Sequence, residues 1–221
     1  MKLLIVTQAV DDENPILGFF SHWVEEFAKH CDQVTVIAQQ VGKHSLPANV
    51  TVCSLGKEAG RSRILQVLCF WQLIWQLRHS YDTVFVHMIA LWVVLGTPIW
   101  KLLRRPVFLW YLHRSKTLLL RLALCCVRNV HTATEVGNGV AGHTKVRVFG
   151  HAIDTNFFIP PEKEERESLI LSVGRVSRSK HFDQVIDVFA TLPSHYRLRI
   201  VGAPYAPADH QEHRRLQKRI A

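Results

Sequence analysis

The sequence predicts an α/β fold, a parallel sheet with helices on both faces. Three observations carry that expectation. Short, almost wholly apolar runs recur, KLLIVT at 2–7 and TVFVH at 83–87 among them, and such runs mark strands covered on both faces. Between the runs lie segments of helical length with apolar residues at i, i+3, i+4 and i+7. The two kinds alternate along most of the 221 residues, which is the pattern of parallel βαβ units.

Taken in order, the first strand is followed by an acidic turn, DDENP, and then by a helix whose Ile16, Phe19, Phe20, Trp23 and Phe27 form one stripe. QVTVIA (33–38) and VTVCSL (50–55) read as the next two strands, and residues 62–79 as an amphipathic helix. TVFVH (83–87) is the fourth strand. An apolar tract, 84–103, is long enough to raise the question of a membrane span. His87 near its start and Gly96-Thr97-Pro98 inside it fit a strand running into an apolar helix near 91–104 better. Pro106 then opens the strand VFLWYLH (107–113), 116–127 is helical, and VHTAT (130–134) and KVRVFG (145–150) are extended.

Residues 1–155 thus make one domain. Composition changes at 156–167, where Asn156, Pro160 and Pro161 precede a charged run from Lys163 to Glu167, and this reads as a linker. A second unit, 168–221, opens with the strand SLILSV and continues with a helix carrying Phe182, Val185, Ile186, Phe189 and Leu192. The strand YRLRIVG (196–202) and a polar helix beginning near Asp209 follow. Two strands are far fewer than a domain of this class needs, so the second unit is expected to be incomplete, with an open sheet edge and an uncovered face.

Charge is distributed unevenly. The formal net charge is +9, and from Arg61 to Arg128 ten Lys or Arg stand against a single acid, Asp82. Five of the six tryptophans share that stretch. Such a region suits an anionic membrane surface or anionic substrates, or it is an aromatic core with a solvated basic rim. The five cysteines form no C-x-x-C pair and no zinc spacing, which fits reduced thiols in a cytoplasmic protein. The N-terminal apolar run is too short for a signal-peptide core.

Candidate site residues sit where strands end. Gly18 follows the first strand, where a glycine either admits a ligand to the backbone or is merely tolerated in a helix; no G-x-G-x-x-G accompanies it. His87 and His113 stand at strand ends, and Arg114 and Lys116 make the second of these edges cationic. Further on come GHAIDTNFF (150–158) and VGRVSRSK (173–180).

In their order and spacing these last two motifs resemble those of the GT-B glycosyltransferases of the large retaining family 4. The first Rossmann-like domain of that family ends in a G-x-G-I-D-x-x-x-F motif, matched here by Gly150, Ile153, Asp154 and Phe158, with Ala152 in place of the second glycine. The second domain opens with a strand, V-G-R and a Lys five positions later, matched by Gly174, Arg175 and Lys180, with His181 where glycine is commoner. LRIVGAP (198–204) resembles the strand and turn that follow, with one glycine lost.

The resemblance implies a GT-B fold and a nucleotide-sugar donor whose diphosphate is held by Arg175 and Lys180, with Gly174 and Gly18 lining it. It places His113 in the catalytic position near the transferred sugar, and His87, Arg114 and Lys116 around an acceptor or sugar pocket. It implies no cofactor and no metal, since a D-x-D triplet is absent, and a lipid-linked or polysaccharide acceptor of the cell envelope at the inner face of the cytoplasmic membrane. The family's E-x7-E pair of glutamates does not occur before Ala221, so the chain is expected to be a truncated, inactive form. The alternative reading is a non-catalytic basic α/β module for nucleic acid or an acidic partner, although no nucleic-acid recognition motif supports it.

Overall fold

The computed structural model describes residues 1–151, 153–156, 158–159 and 168–220. The chain divides into two compact units, Met1–Ile153 and Asp154–Ala221. Ala152 of the first motif and residues 160–167 of the expected linker lie outside the described residues.

The first unit is a seven-stranded parallel sheet. Its strands are β1 (Lys2–Val10), β2 (Gln33–Val41), β3 (Val50–Ser54), β4 (Thr83–His87), β5 (Val107–Trp110), β6 (Asn129–Thr132) and β7 (Val146–Val148). They lie in the order β3-β2-β1-β4-β5-β6-β7. β1 is the pivot, pairing with β2 from Lys2↔Gln33 to Val10↔Val41 and with β4 from Leu3↔Thr83 to Val6↔Val86. It is therefore flanked on both edges and covered on both faces, and Leu4, Ile5 and Val6 are fully buried.

Two cores follow from this sheet. On one face α1 (Phe19–His30) packs Phe20, Val24 and Ala28 against Ile5, Val36, Phe85 and Trp110. On the other, α2 (Arg63–Gln76), α3 (Ala90–Leu102) and α4 (Leu118–Cys126) pack Phe70, Ile74, Trp92, Trp100 and Leu120 against Leu4, Val6, Val84 and Leu109. The five cysteines are free. No described helix is long and apolar enough to cross a membrane. In the 84–103 tract the break falls at Met88 and Ile89, between β4 and α3, and the helix runs on through Gly96-Thr97-Pro98. Thr97 Oγ1 donates to the Val93 carbonyl at 2.6 Å within that segment.

Three expectations about local structure need correction. The stripe on α1 begins later than its spacing suggested, because the helix starts at Phe19. Ile16 is left in the preceding turn, and both it and Phe19 are exposed. The strand at 107–113 stops at Trp110, where its pairings with β4 and β6 both end, opposite His87 and His131; His113 stands in a loop. α2 is not amphipathic in the sense expected. Besides its buried Phe70 and Ile74 it turns Ile64, Leu68, Trp71 and Trp75 to the outside, with Ile64 74% exposed. From Ile64 to Gln76 it carries no charged residue.

The second unit has β8 (Leu169–Val173), a short 3-10 turn (Arg178–Lys180), α5 (Phe182–Phe189), β9 (Arg197–Val201) and α6 (Pro207–Ile220). β8 and β9 pair in parallel from Leu169↔Arg197 to Val173↔Val201. A small core of Val176, Phe182 and Leu216 joins α5 and α6 to the sheet. Salt bridges from Arg215 to Asp183 (2.8 Å) and from Arg219 to Asp187 tie the two helices together. Leu171 and Val173 of β8 remain exposed, as an uncovered sheet face requires.

Among the described residues three that are not glycine hold positive φ: Met88 (67°), Arg104 (55°) and His181 (50°). A left-handed conformation costs an ordinary side chain roughly 1–2 kcal/mol. Arg104 sits one position beyond the C-cap of α3, where its N–H donates to the Lys101 carbonyl (3.0 Å) and the Arg105 N–H to the Trp100 carbonyl (2.8 Å). This is the Schellman arrangement, whose left-handed position glycine usually fills.

Trp100 is fully buried beneath this helix end and packs edge-on against Phe70, their ring centroids 5.9 Å apart. Trp100→Ala is expected to lower stability by about 3–5 kcal/mol in urea denaturation; a loss under 1 kcal/mol would mean that the α2–α3 core is not continuous.

Candidate functional site

In open parallel sheets ligands bind outside the carboxyl ends of the strands, where the strand order changes direction. Here that point lies between β1 and β4. Thr7 of β1 and His87 of β4 meet across it, their Oγ1 and Nδ1 sharing a buried hydrogen bond of 3.2 Å. α1 closes the position from one side: Phe20 stacks on the His87 ring at 4.1 Å, and Phe19 and Trp23 contact its edge at 6.4 and 5.9 Å. His87 is 3% exposed. Burial first, and then electrostatic repulsion from nearby His113, push its pKa down to about 4.

His87 therefore differs from what its position at a strand end suggested. In this structure it is a neutral, buried packing group stacked under Phe20. Gly18 also differs. It has ordinary helical φ, and a Cβ there would come within 2.8 Å of the Asp12 and Asn14 carbonyl oxygens. The chain's own turn thus occupies the side on which a Cβ would stand.

His113, Arg114 and Lys116 are exposed in the loop that leaves β5. The loop is nonetheless fixed. The Gly139 N–H donates to the His113 carbonyl at 2.7 Å, and a Cβ on Gly139 would lie 2.4 Å from the Ser115 carbonyl oxygen. Asn138, buried beside it, donates to Thr132 Oγ1 (3.1 Å) and to the Thr134 carbonyl (2.7 Å), and accepts from the Val140 N–H. Gly139 and Asn138 thus clamp the loops after β5 and β6 together. Neither was singled out from the sequence, although G-N-G at 137–139 is a turn signal that could have pointed there.

The other candidates belong to the second unit. Gly174, Arg175 and Lys180 gather at the carboxyl end of β8. The Gly174 N–H donates to the Val201 carbonyl, and the Lys180 stem passes Gly174, its Cε 3.6 Å from where a Cβ would stand. The chain turns back at His181 in the left-handed conformation, the position where glycine was expected; histidine is one of the residues that tolerates it best.

Arg175 is about half exposed, and its Nε lies 3.6 Å from Asp209 Oδ2. That carboxylate also accepts the Ala206 and Tyr205 N–H groups, at 3.0 and 3.3 Å, and so caps the start of α6. The Ala206 N–H first, then that of Tyr205 and the Arg175 charge, hold the Asp209 carboxyl below the usual carboxylate range against desolvation. Lys180 has no carboxylate partner among the described residues. Asp209 was not foreseen as a partner, since an acid at the third position of a helix reads as a cap and nothing more. Among the described residues no group of three or more His, Cys, Asp or Glu is placed to hold a metal ion.

Known proteins resemble the chain in structure rather than in sequence. No protein-family model matches it, and no curated protein matches it. Among solved structures it is similar to the lipopolysaccharide outer core galactosyltransferase WaaB in its apo form. The TM-score is 0.61 at 13% identity, covering 99% of this chain and 65% of WaaB. It is also similar to Arabidopsis thaliana UGT89C1 complexed with UDP-L-rhamnose (0.55, 10%, covering 93% and 70%). The UDP-GlcNAc 2-epimerase from Methanocaldococcus jannaschii follows closely (0.53, 12%, covering 98% and 69%).

The fold is of the GT-B type.

Within the GT-B fold the two groups of candidates take distinct places. The first Rossmann-like unit supplies the clamped His113 loop at the carboxyl edge of its sheet, and the second supplies the Gly174–Lys180 turn at the end of its first strand. The chain spans about two thirds of the length of WaaB. Transferases and epimerases share the architecture, so fold alone does not choose the reaction.

Because His87 titrates well below a free histidine, near 6.5, the unfolded chain binds its proton more readily than the folded one. Its contribution is complete above about pH 6.5 and is lost as pH falls toward 4. His87→Gln should reduce the stability difference between pH 7 and 4.5 by about 2 kcal/mol. An unchanged pH dependence in denaturant titrations would remove His87 as its source.

Proposed function

We propose that the chain forms the acceptor-side domain and the opening of the donor-side domain of a retaining glycosyltransferase of family 4. The enzyme moves a sugar from a nucleotide-sugar donor to a lipid-linked or polysaccharide acceptor. The observation that carries this reading is the turn after β8, where Arg175 and Lys180 converge on Gly174 and Lys180 has no carboxylate partner among the described residues.

The chemistry follows from the two cations. As the glycosidic bond breaks, negative charge grows on the departing diphosphate, and fixed cations aimed at it stabilise the transition state. Loss of one such contact typically costs about 3 kcal/mol. Arg175 offers a planar fork for two phosphate oxygens and Lys180 a compact point charge. Asp209 holds the Arg175 side chain at one side, which limits the rotamer freedom lost on binding. His113, exposed on a loop clamped by Gly139, faces the transferred sugar in this reading, with Arg114 and Lys116 on the acceptor side.

The outer face of α2 supports a membrane-borne acceptor. Ile64, Leu68, Trp71 and Trp75 form an exposed stripe flanked by Arg61, Arg63 and Arg78, and no acid occurs from Arg61 to Tyr81. The Arg78 guanidinium lies over the Trp75 ring at 5.1 Å. A helix apolar on its outer side, with tryptophans and cations at its margins, fits the headgroup layer of an anionic bilayer at its cytoplasmic face.

Titration with nucleoside diphosphate sugars, followed by NMR, tests the donor reading. Arg175→Ala with Lys180→Ala should weaken binding at least about tenfold while the melting temperature stays within ~3 °C. Equal binding by the double variant sinks the diphosphate role, and an inverted anomeric centre in any transfer product sinks the retaining mechanism. For the membrane, Leu68→Gln with Trp75→Gln should release the chain from phosphatidylglycerol vesicles, and raised salt should weaken wild-type binding. Salt-insensitive binding, or binding unaffected by the substitutions, would count against docking through α2.

A further inference from the structure

At the end of the first sheet opposite its carboxyl edge, a recess of about 420 Å³ opens between the C-terminal ends of α3 and α4. Val107, the first residue of β5, lies in its floor, and Lys101, Arg104, Arg105 and Arg128 line it. The backbone holds these residues in place: the Arg128 N–H donates to the Val107 carbonyl at 2.8 Å, and the Schellman turn fixes Arg104 and Arg105. Among the described residues Arg105 Nη1 lies 3.5 Å from Asp82 Oδ1, and Arg105 Nη2 donates to the Arg78 carbonyl at 3.3 Å. The side chains of Lys101, Arg104 and Arg128 have no ion-pair or hydrogen-bond partner among the described residues.

Cations near a helix C-terminus complement its dipole, and Lys101 in the last turn of α3 already meets that need. Two features go further. Arg104 occupies a left-handed position that glycine fills without strain, so backbone strain is held where it keeps a charged side chain at the recess. Arg105 Nε is buried and has no hydrogen-bond acceptor among the described residues, although buried donors are almost always paired. A concave site lined by one sign of charge concentrates the opposite sign.

We propose that this recess binds a phosphate group, with Arg104, Arg105 and Arg128 as its donors and Lys101 as a supporting charge. Arginine forks match the oxygens of a phosphate monoester or diphosphate, and an acceptor at Arg105 Nε would satisfy the orphaned donor. The phosphate can belong to a soluble anion or to a lipid headgroup. Leu102, 71% exposed beside the recess on the last turn of α3, offers a contact for an acyl chain. The site lies wholly within the first unit and is independent of the diphosphate role given to Arg175 and Lys180.

The test uses the full chain, with inorganic pyrophosphate followed by calorimetry and vesicles of phosphatidylcholine with or without phosphatidic acid followed by flotation. Arg104→Gly combined with Arg128→Gln should weaken pyrophosphate binding at least about tenfold. Arg104→Gly alone should leave the melting temperature unchanged or higher, because glycine relieves the strained backbone. Arg175→Ala with Lys180→Ala should retain the binding. Pyrophosphate binding without flotation assigns the site to soluble phosphates; flotation that needs phosphatidic acid and is competed by pyrophosphate assigns it to a headgroup. Unchanged binding in the Arg104/Arg128 variant, or its loss in the Arg175/Lys180 variant, overturns the proposal, as does an absence of both pyrophosphate and vesicle binding.

Discussion

The pairing of β1 with β4 organises the first unit. β1 is hydrogen-bonded on one edge to β2 and on the other to β4, and the strand order runs outward from that line in both directions. A strand so placed has no solvated edge and no solvated face, which is why Leu4, Ile5 and Val6 are buried together. The helices then have no freedom of side. α1 returns the chain over one face to β2, while α2, α3 and α4 share the other. At the carboxyl end of the same pair the strand order diverges, and there Thr7 and His87 close the floor beneath Phe20.

That floor explains why two histidines at strand ends differ in character. His87 is the last residue of a central strand and lies under α1, so it loses water and proton together. His113 lies three residues beyond the last paired residue of β5, in a loop with exposed cations around it. Its backbone is held by Gly139, whose missing side chain lets the loop after β6 approach the Ser115 carbonyl. The His113 ring meets Tyr111 edge-on at 5.6 Å and stays exposed, whereas the His87 ring is buried and stacked on Phe20.

Positive charge follows a similar division. In the second unit Arg175 is held by an acid that already caps α6, and Arg215 and Arg219 tie α6 to α5. Arg215 and Arg219 thus use their charge between helices, while Arg175, 3.6 Å from its acid and half exposed, is only partly engaged. In the first unit, the cations at the ends of α3 and α4 have almost no acids to meet, because Asp82 stands alone among the residues from Arg61 to Arg128. The same scarcity leaves the outer face of α2 apolar with basic margins. Charge that a fold does not neutralise internally is available to anionic partners.

The sequence by itself determined the alternation of strands and helices, the two units and the cationic turn after β8, because burial on both faces of a parallel strand forces continuous apolar runs and V-G-R with its spaced lysine is a local pattern. Tertiary structure decided the rest. Whether a histidine at a strand end is open or sealed depends on which helix crosses above it, and whether Gly18 makes room for a ligand depends on where the Asp12 and Asn14 carbonyls fold. α2 read as amphipathic in one dimension, and only packing shows that the face left outside carries Ile64, Leu68, Trp71 and Trp75. The Gly139 clamp and the recess at Arg104 join residues from separate loops and helices, and no spacing along the chain records such distances.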